Sequence, residues 1–395
     1  MWQSGQYSLL AIVVTVFAAF ALALAKRIFF HPLSKFPGPK LWAASRVPYV
    51  YYMWTGKLAH KIRASHEQYG PAIRLAPDEL SFIDPPACKD ILARRADRKG
   101  TAFPKNQIWV PPPGPQRPTN ILNAADDEHD RIRRAWAYGF SPTMLKSQEP
   151  LIAHEANKLM NKLHEQIKNG SATVEISEWF SYCVFDISGS LTFGASYGCL
   201  DNAAFHESLK LATYSIKASV LMAACRYFGL LSKLMMWTIA KPAQTKQKQH
   251  LSFSQQHVRD RLANPSDRPD LLYHMQSSSK SLTDKEIEAN AGVIASASTN
   301  TTNTTLLGTV SFLLRFPDTL SRLTHDVRSE FEASEDITIE RLTKLPYLTA
   351  VIEEGLRMVS PIPLGTPRVV PQPGATVSGE FIPGGVSHFK VPKTP

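Results

Sequence analysis

Paired cysteines are missing from this sequence. Its four, Cys88, Cys183, Cys199 and Cys225, are widely spaced, with no Cys-x-x-Cys pair and no cluster of histidines beside them. That pattern excludes a structural zinc site of the usual spacing, and a chain of 395 residues has core enough to fold without a disulfide framework. Reduced, mostly buried thiols are the expectation. Long basic runs are missing as well. The formal charge of +10, from 44 basic and 34 acidic residues, is spread along the chain. Such a spread suits an anionic membrane surface or an acidic partner better than it suits nucleic acid. Internal repeats and low-complexity tracts are absent, and the hydrophobic content of 44% is that of an ordinary folded protein. The length allows one large domain or two ordinary ones.

What the sequence does have is one long helical stretch, residues 283–317. It opens with Thr283-Asp284-Lys285-Glu286, a capping box in which the Thr hydroxyl and the Glu carboxylate satisfy exposed helix-start donors. Leu282 and Ile287 flank the cap as a hydrophobic staple. Pro317 stops the far end, because it has no N–H to continue the ladder. The rod between these signals is roughly 50 Å long at 1.5 Å rise per residue. Its middle is odd: residues 296–305 are Ser, Thr or Asn throughout except Ala297. Such side chains compete with the backbone for its hydrogen bonds. Two readings follow, a solvated loop between two shorter helices or a buried helix with a polar, water-holding notch. Functional sites tend to carry this kind of local inconsistency.

Residues 9–25 form an uncharged apolar run followed at once by Lys26-Arg27. The run lies at the short edge of what spans a bilayer. A signal peptide has its basic residues before the apolar core, and here they follow it, so an uncleaved anchor with the body on the cytoplasmic side is expected, cleavage being the alternative. Phe36-Pro37-Gly38-Pro39 reads as a stiff connector. Residues 58–69 read as an amphipathic helix ended by Gly70-Pro71, residues 72–83 as a β-hairpin turning at Pro77-Asp78, and Pro85 starts a helix carrying Cys88, Ile91 and Leu92. Residues 104–118 hold six prolines and read as loop. A helix with His129, Arg131, Arg133 and Arg134 follows and closes near Phe140-Ser141-Pro142. His129 and Arg133, four apart, share a face, which is either solvated or an anion site.

From Glu149 onward the pattern is helical with short interruptions, closed by a turn at Asn264-Pro265. Residues 221–240 are apolar enough to touch lipid, but Arg226 and Lys233 argue against a second span. They suit a surface that dips into the membrane or a domain core. A short helix is expected over residues 337–345. Another begins at Pro346 and packs inward through Leu348, Val351 and Ile352, with Glu354 and Arg357 spaced to pair. Pro361 and Pro363 end it, and short strands follow Pro367-Arg368-Val369-Val370. The fold class is mainly α with a small β part.

Taken in order, hinge, basic helix ending Phe-Ser, long Thr-rich helix, Glu-x-x-Arg before Pro-x-Pro, then Pro-Arg-Val-Val, the chain resembles a cytochrome P450. In tone it is similar to the membrane-bound fungal members that oxidise secondary metabolites. The resemblance implies a domain plan of anchor (1–27), Pro/Gly hinge (28–40) and an incomplete catalytic domain (41–395). It implies that Glu354 and Arg357 form a structural ion pair buried near a haem, and that His129, Arg133 and Arg368 contact the haem propionates. Residues 297–302, Ala-Ser-Thr-Asn-Thr-Thr, lie over the family's Ala-Gly-x-Asp/Glu-Thr-Thr signature. By that likeness Thr301 and Asn300 are the catalytic pair that holds water and relays protons. The implied cofactor is haem b, with electrons from NADPH through cytochrome P450 reductase. Partners would be dioxygen, a lipophilic small molecule and the endoplasmic reticulum membrane, with a single span and the catalytic domain facing the cytoplasm.

Two departures stand out. Asn300 occupies the acid position and Ser298 the glycine position, and Asn can orient a water but cannot shuttle a proton by its own titration. The family's iron-ligating cysteine follows the Glu-x-x-Arg helix, whereas the last cysteine here is Cys225, so no residue of this chain is expected as the metal ligand. The close of the chain, residues 386–395, is also unlike the family. The resemblance therefore carries an expectation of a truncated or mis-spliced frame. Its competitor is a non-catalytic remnant or membrane-tethered interaction protein. An unrelated all-α scaffold would tolerate Arg357→Ala, whereas a buried family pair would not.

Overall fold

A computed structural model of the chain describes residues 2–93, 102–115, 117–170, 173–204, 207–238, 241–263, 270–277 and 282–390. The turn expected at Asn264-Pro265 and the closing residues 391–395 lie outside them. Two compact units emerge, Met1–Trp109 with Val220–Met236 and Pro363–Lys393, and Val110–Ser219 with Trp237–Ile362.

The first unit holds helices α1 (Trp2–Phe29), α2 (Lys40–Ala44), α3 (Val47–Trp54), α4 (Leu58–Tyr69) and α5 (Pro85–Leu92). Its sheet runs β1-β2-β6-β3, built from Ala72–Ala76, Glu79–Phe82, Ser387–Lys390 and Arg368–Val369. β1 and β2 form the expected hairpin, and β2 pairs in parallel with β6, Glu79 opposite Ser387. A separate hairpin joins β4 (Gly374–Val377) to β5 (Glu380–Pro383). Within α1, residues Ala11–Phe29 are long and apolar enough to cross a membrane and none of that stretch is buried. Leu33, Leu80, Phe82, Phe103 and Val370 pack one core of this unit, and Tyr49, Ile62, Ile73 and Leu75 another. Ala223 and Ala224 belong to the second of these cores, so part of the apolar stretch 221–240 is core, while Leu230 and Leu231 remain exposed.

The second unit is helical: α6 (Asp126–Ala137), α7 (Pro142–Lys168), α8 (Ile176–Phe193), α9 (Cys199–Asn202), α10 (Glu207–Arg226, whose end joins the first unit), α11 (Leu231–Thr238, likewise shared), α12 (Lys241–Ala263), α13 (Leu271–Ser277), α14 (Asp284–Arg315), α15 (Pro317–Glu330), α16 (Ile339–Leu342) and α17 (Pro346–Met358). α14 keeps both of its sequence signals. Thr283 and Glu286 close the capping box, and Leu282 and Ile287 are both buried in the core that α6, α8, α12 and α13 complete. Pro317 ends α14 and starts α15, where its missing N–H costs nothing.

The polar middle of α14 is helix, not loop. Its hydroxyls bond back one turn, Ser296 to Gly292 O (2.8 Å), Thr299 to Ala295 O (2.9 Å), Thr301 to Ala297 O (2.6 Å) and Thr304 to Asn300 O (2.8 Å). Competition with the backbone is thereby turned into support for it. Three other expectations are corrected. α7 begins at Pro142 rather than Glu149, capped by Ser141, and runs through Pro150. The helix expected over 337–345 shrinks to α16, four residues long. Ile352, expected inward, is half exposed, and only Gly355 of α17 is fully buried.

Candidate active site

α14 is held at its start by a charge pair with α6. The Arg131 guanidinium grips the Glu286 carboxylate, which also accepts from the Thr283 N–H at 2.8 Å. Partial burial works against ionisation of Glu286, yet these hydrogen bonds hold its carboxyl below the usual range. The basic run on α6 is thus divided. Arg131 braces the fold, whereas Arg133 stands exposed on the face it shares with half-buried His129, whose Nδ1 lies 3.7 Å from Asp130. One turn beyond, Trp136 brings a buried Nε1–H that has no acceptor among the described residues. The sequence reading passed over Trp136. Its signal was the i, i+4, i+7 spacing with His129 and Arg133.

The middle of α14 lies against α8. Ser188 Oγ meets Ser298 Oγ at 2.7 Å, and Asn303 Nδ2 donates to Ser181 Oγ at 2.8 Å. Ser298 therefore has a local reason to replace glycine: its hydroxyl ties two buried helices. Asn300 is half-buried, and its Nδ2 and the Asn303 Oδ1 have no partner among the described residues. Thr301, next to it, has spent its hydroxyl proton on Ala297 O and keeps oxygen lone pairs free to accept. An amide donor without a partner and a hydroxyl with a free acceptor, on neighbouring residues, are the kinds of group that a water can bridge.

Further along, α14 and α17 meet through glycine. A Cβ on Gly355 would fall 2.2 Å from Thr309 Oγ1, and one on Gly308 would fall 2.5 Å from Val359. The helices approach closely only because those atoms are missing. Gly355 sits inside Glu-x-x-Arg, so the spacing that suggested an ion pair also marks a contact the sequence reading missed. Glu354 and Arg357 do pair, Arg357 Nε to Oε2 at 2.6 Å and Nη2 to Oε1 at 2.5 Å. The expected burial is corrected: the two side chains are 57% and 46% exposed, on the face of α17 opposite the Gly355 contact.

Arg368 belongs to the first unit. Its Nη1 donates to Phe103 O at 3.0 Å, and β3 pairs His388 opposite it. With Asn106 N on Pro367 O (2.9 Å) and Val369 N on Pro104 O (2.8 Å), it ties the proline-rich loop to the sheet. The same unit encloses a charge cluster that sequence patterns did not suggest. Arg46 reaches both Asp78 and the fully buried Glu79, and lies over the Tyr227 ring, whose hydroxyl accepts from Trp109 Nε1 at 2.8 Å. Burial lifts the Glu79 carboxyl above its ordinary range, and the Arg46 charge opposes that lift.

The family model for cytochrome P450 matches residues 37–388. A cytochrome P450 monooxygenase of Hormonema carpetanum is 37% identical over 366 residues, spanning 91% of this chain and 72% of that protein. Trichothecene C-15 hydroxylase of Fusarium sporotrichioides is 35% identical over 389 residues, 97% of this chain and 78% of its own. Averantin hydroxylase of Dothistroma septosporum is 34% identical over 368 residues, 91% and 68%. The fold and the ordered motifs are those of a monooxygenase of the oxidoreductase class. The chain belongs to the cytochrome P450 family.

That family's cofactor is haem, reduced with electrons from NADPH through a reductase; when bound, its iron supplies the dioxygen-activating chemistry. The residues present fit only one side of it. On α6, exposed Arg133, half-buried His129 and the buried Trp136 N–H offer donors of the kind a propionate takes. The iron side is not met. All four cysteines are free thiols; burial pushes Cys183 up to about 12 and Cys225 upward, away from thiolate.

Proposed function

We propose that this chain carries the oxygen-side helix and the propionate-side helix of a haem monooxygenase that hydroxylates or epoxidises a lipophilic small molecule in fungal secondary metabolism. The notch on α14 carries the reading. Thr301 would hold a water through its free lone pairs, and Asn300 would orient it. His129, Arg133 and Arg368 would face the haem carboxylates, and Glu354 with Arg357, exposed as they stand, would form a surface pair on α17 rather than the buried structural pair the resemblance implies. Residues 1–27 would anchor the protein in the endoplasmic reticulum membrane, residues 28–40 would act as hinge, and residues 41–395 would lie in the cytoplasm within reach of the reductase. Two of the relatives are named for hydroxylation, of averantin and at C-15 of a trichothecene, and those names speak for their own proteins. Substrate choice here would rest on side chains around residues 100–120 and 200–240.

The cysteine chemistry favours a second reading, a non-catalytic membrane-tethered protein, because burial holds the Cys183 and Cys225 thiols away from thiolate. One spectrum separates the two. The purified full chain, expressed with excess haem, is reduced under carbon monoxide. A Soret band at the thiolate–CO position supports the enzyme. Absence of haem, or a band at the position of a non-thiolate ligand, leaves the non-catalytic reading standing.

A further inference from the structure

A cleft of about 390 Å³ opens in the first unit between the hinge and α4. Its walls are Lys40, Trp42, Tyr52, Lys61, Gln68 and Tyr69, with no carboxylate among the lining residues. Trp42 and Tyr52 stack at 5.6 Å between centroids, and the Lys61 ammonium lies 5.9 Å over the Tyr52 ring. One ammonium over an aromatic ring, with the exposed Lys40 also on the wall, suits an anion that carries an apolar body. A cleft of this size is in the range that encloses small ligands.

Its position in the chain says which anion. The end of the membrane-length helix α1 is fastened to α2, whose first residues line the cleft, and to β1: Arg27 Nη1 donates to Ala44 O at 3.3 Å, and the buried Arg74 donates to Arg27 O at 3.0 Å. Beside the cleft, α2 and α3 leave Leu41, Val47, Tyr51 and Trp54 exposed, Leu41 by 76%. An apolar rim next to paired lysines is the profile of a surface that rests in the headgroup layer. A soluble phosphate would have no use for that rim.

We propose that this cleft binds the headgroup of one anionic glycerophospholipid, its phosphate between Lys40 and Lys61 and its glycerol end against Trp42 and Tyr52. The proposal rests on the membrane-anchor reading. The test uses the full chain reconstituted in nanodiscs of equal phosphatidylcholine and phosphatidylserine, with lipids retained after detergent extraction counted by native mass spectrometry. Wild type retains phosphatidylserine with about tenfold preference, Lys40→Ser with Lys61→Ser loses it, and Lys217→Ser with Lys248→Ser, which removes the same charge elsewhere, keeps it. Equal retention of both lipids, or equal loss in both double variants, overturns the proposal. So does displacement of the lipid by inorganic phosphate, which would mark a site for soluble anions. Flotation with phosphatidylcholine vesicles alone is the separate check on the anchor. Wild type that floats without lipid preference removes the cleft proposal only, and wild type that fails to float removes the anchor reading and the proposal together.

Discussion

Glu354 and Arg357 meet in a two-point pair that solvent reaches from both sides, whereas Arg46 and Glu79 meet out of its reach. Exposed pairs are screened and gain little over their hydrated states. Buried ones leave a stranded charge when one partner is removed. Arg357→Ala is therefore expected to leave the urea midpoint of this chain within experimental scatter. Arg46→Ala is expected to destabilise by about 3–5 kcal/mol, and a chain that loses its fold on Arg357→Ala while tolerating Arg46→Ala would contradict this ordering. Glu155 supplies a pH dependence of known sign. It is buried on α7, one carboxylate oxygen lacks a hydrogen-bond partner, and burial raises its carboxyl above the ordinary range, with Lys158 opposing. A group raised in the folded state contributes its stability below its unfolded pKa and loses it as pH rises through the folded one. Glu155→Gln should thus unfold at higher urea than wild type at neutral pH, the gap closing below the ordinary carboxylate range. A gap that widens on acidification would refute the assignment.

At the scale of elements, α14 and α17 cross where Gly355 faces Thr309 and Gly308 faces Val359. Gly355→Ala places a methyl where Thr309 Oγ1 already stands, an overpacking expected to cost about 1–3 kcal/mol in chemical denaturation. Trimming the partner, Thr309→Ala in the same chain, should recover most of that loss. If the double variant is no better than Gly355→Ala, the close crossing is not what the glycine serves. Element boundaries were legible wherever a side chain acts on its own backbone. The Thr283–Glu286 box, Gly70-Pro71 after α4, Pro85 at the start of α5 and Pro317 after α14 all act within a few residues. The polar stretch of α14 was not legible, because loop and helix offer Ser and Thr equally good local bonds. Packing of one side against α8 decides between them: Thr299 is buried there and Ser298 and Asn303 bond to Ser188 and Ser181, which fixes the stretch as helix.

At the scale of the whole molecule, α1 holds the one stretch among the described residues long and apolar enough to cross a membrane. Removing residues 1–27 should move the protein from a carbonate-resistant membrane pellet to the supernatant; continued pelleting in carbonate would assign membrane attachment to another surface. The first unit is assembled from three separate stretches, so β2 finds its parallel partner in β6 some three hundred residues later. Sequence by itself determined the mostly helical class, an N-terminal helix long and apolar enough to cross a membrane, the capped rod of α14 and the family, because each is written in local periodicity, in caps or in an ordered set of motifs. It also placed His129 with Arg133 on one helix face and Asn300 beside Thr301. Only the tertiary structure decided which charges are buried. It put Glu354 and Arg357 in solvent, enclosed Arg46 and Glu79, gave Arg131 to Glu286 and turned Trp136 Nε1 inward. Burial depends on what packs from distant parts of the chain, and no window of neighbouring residues contains that information.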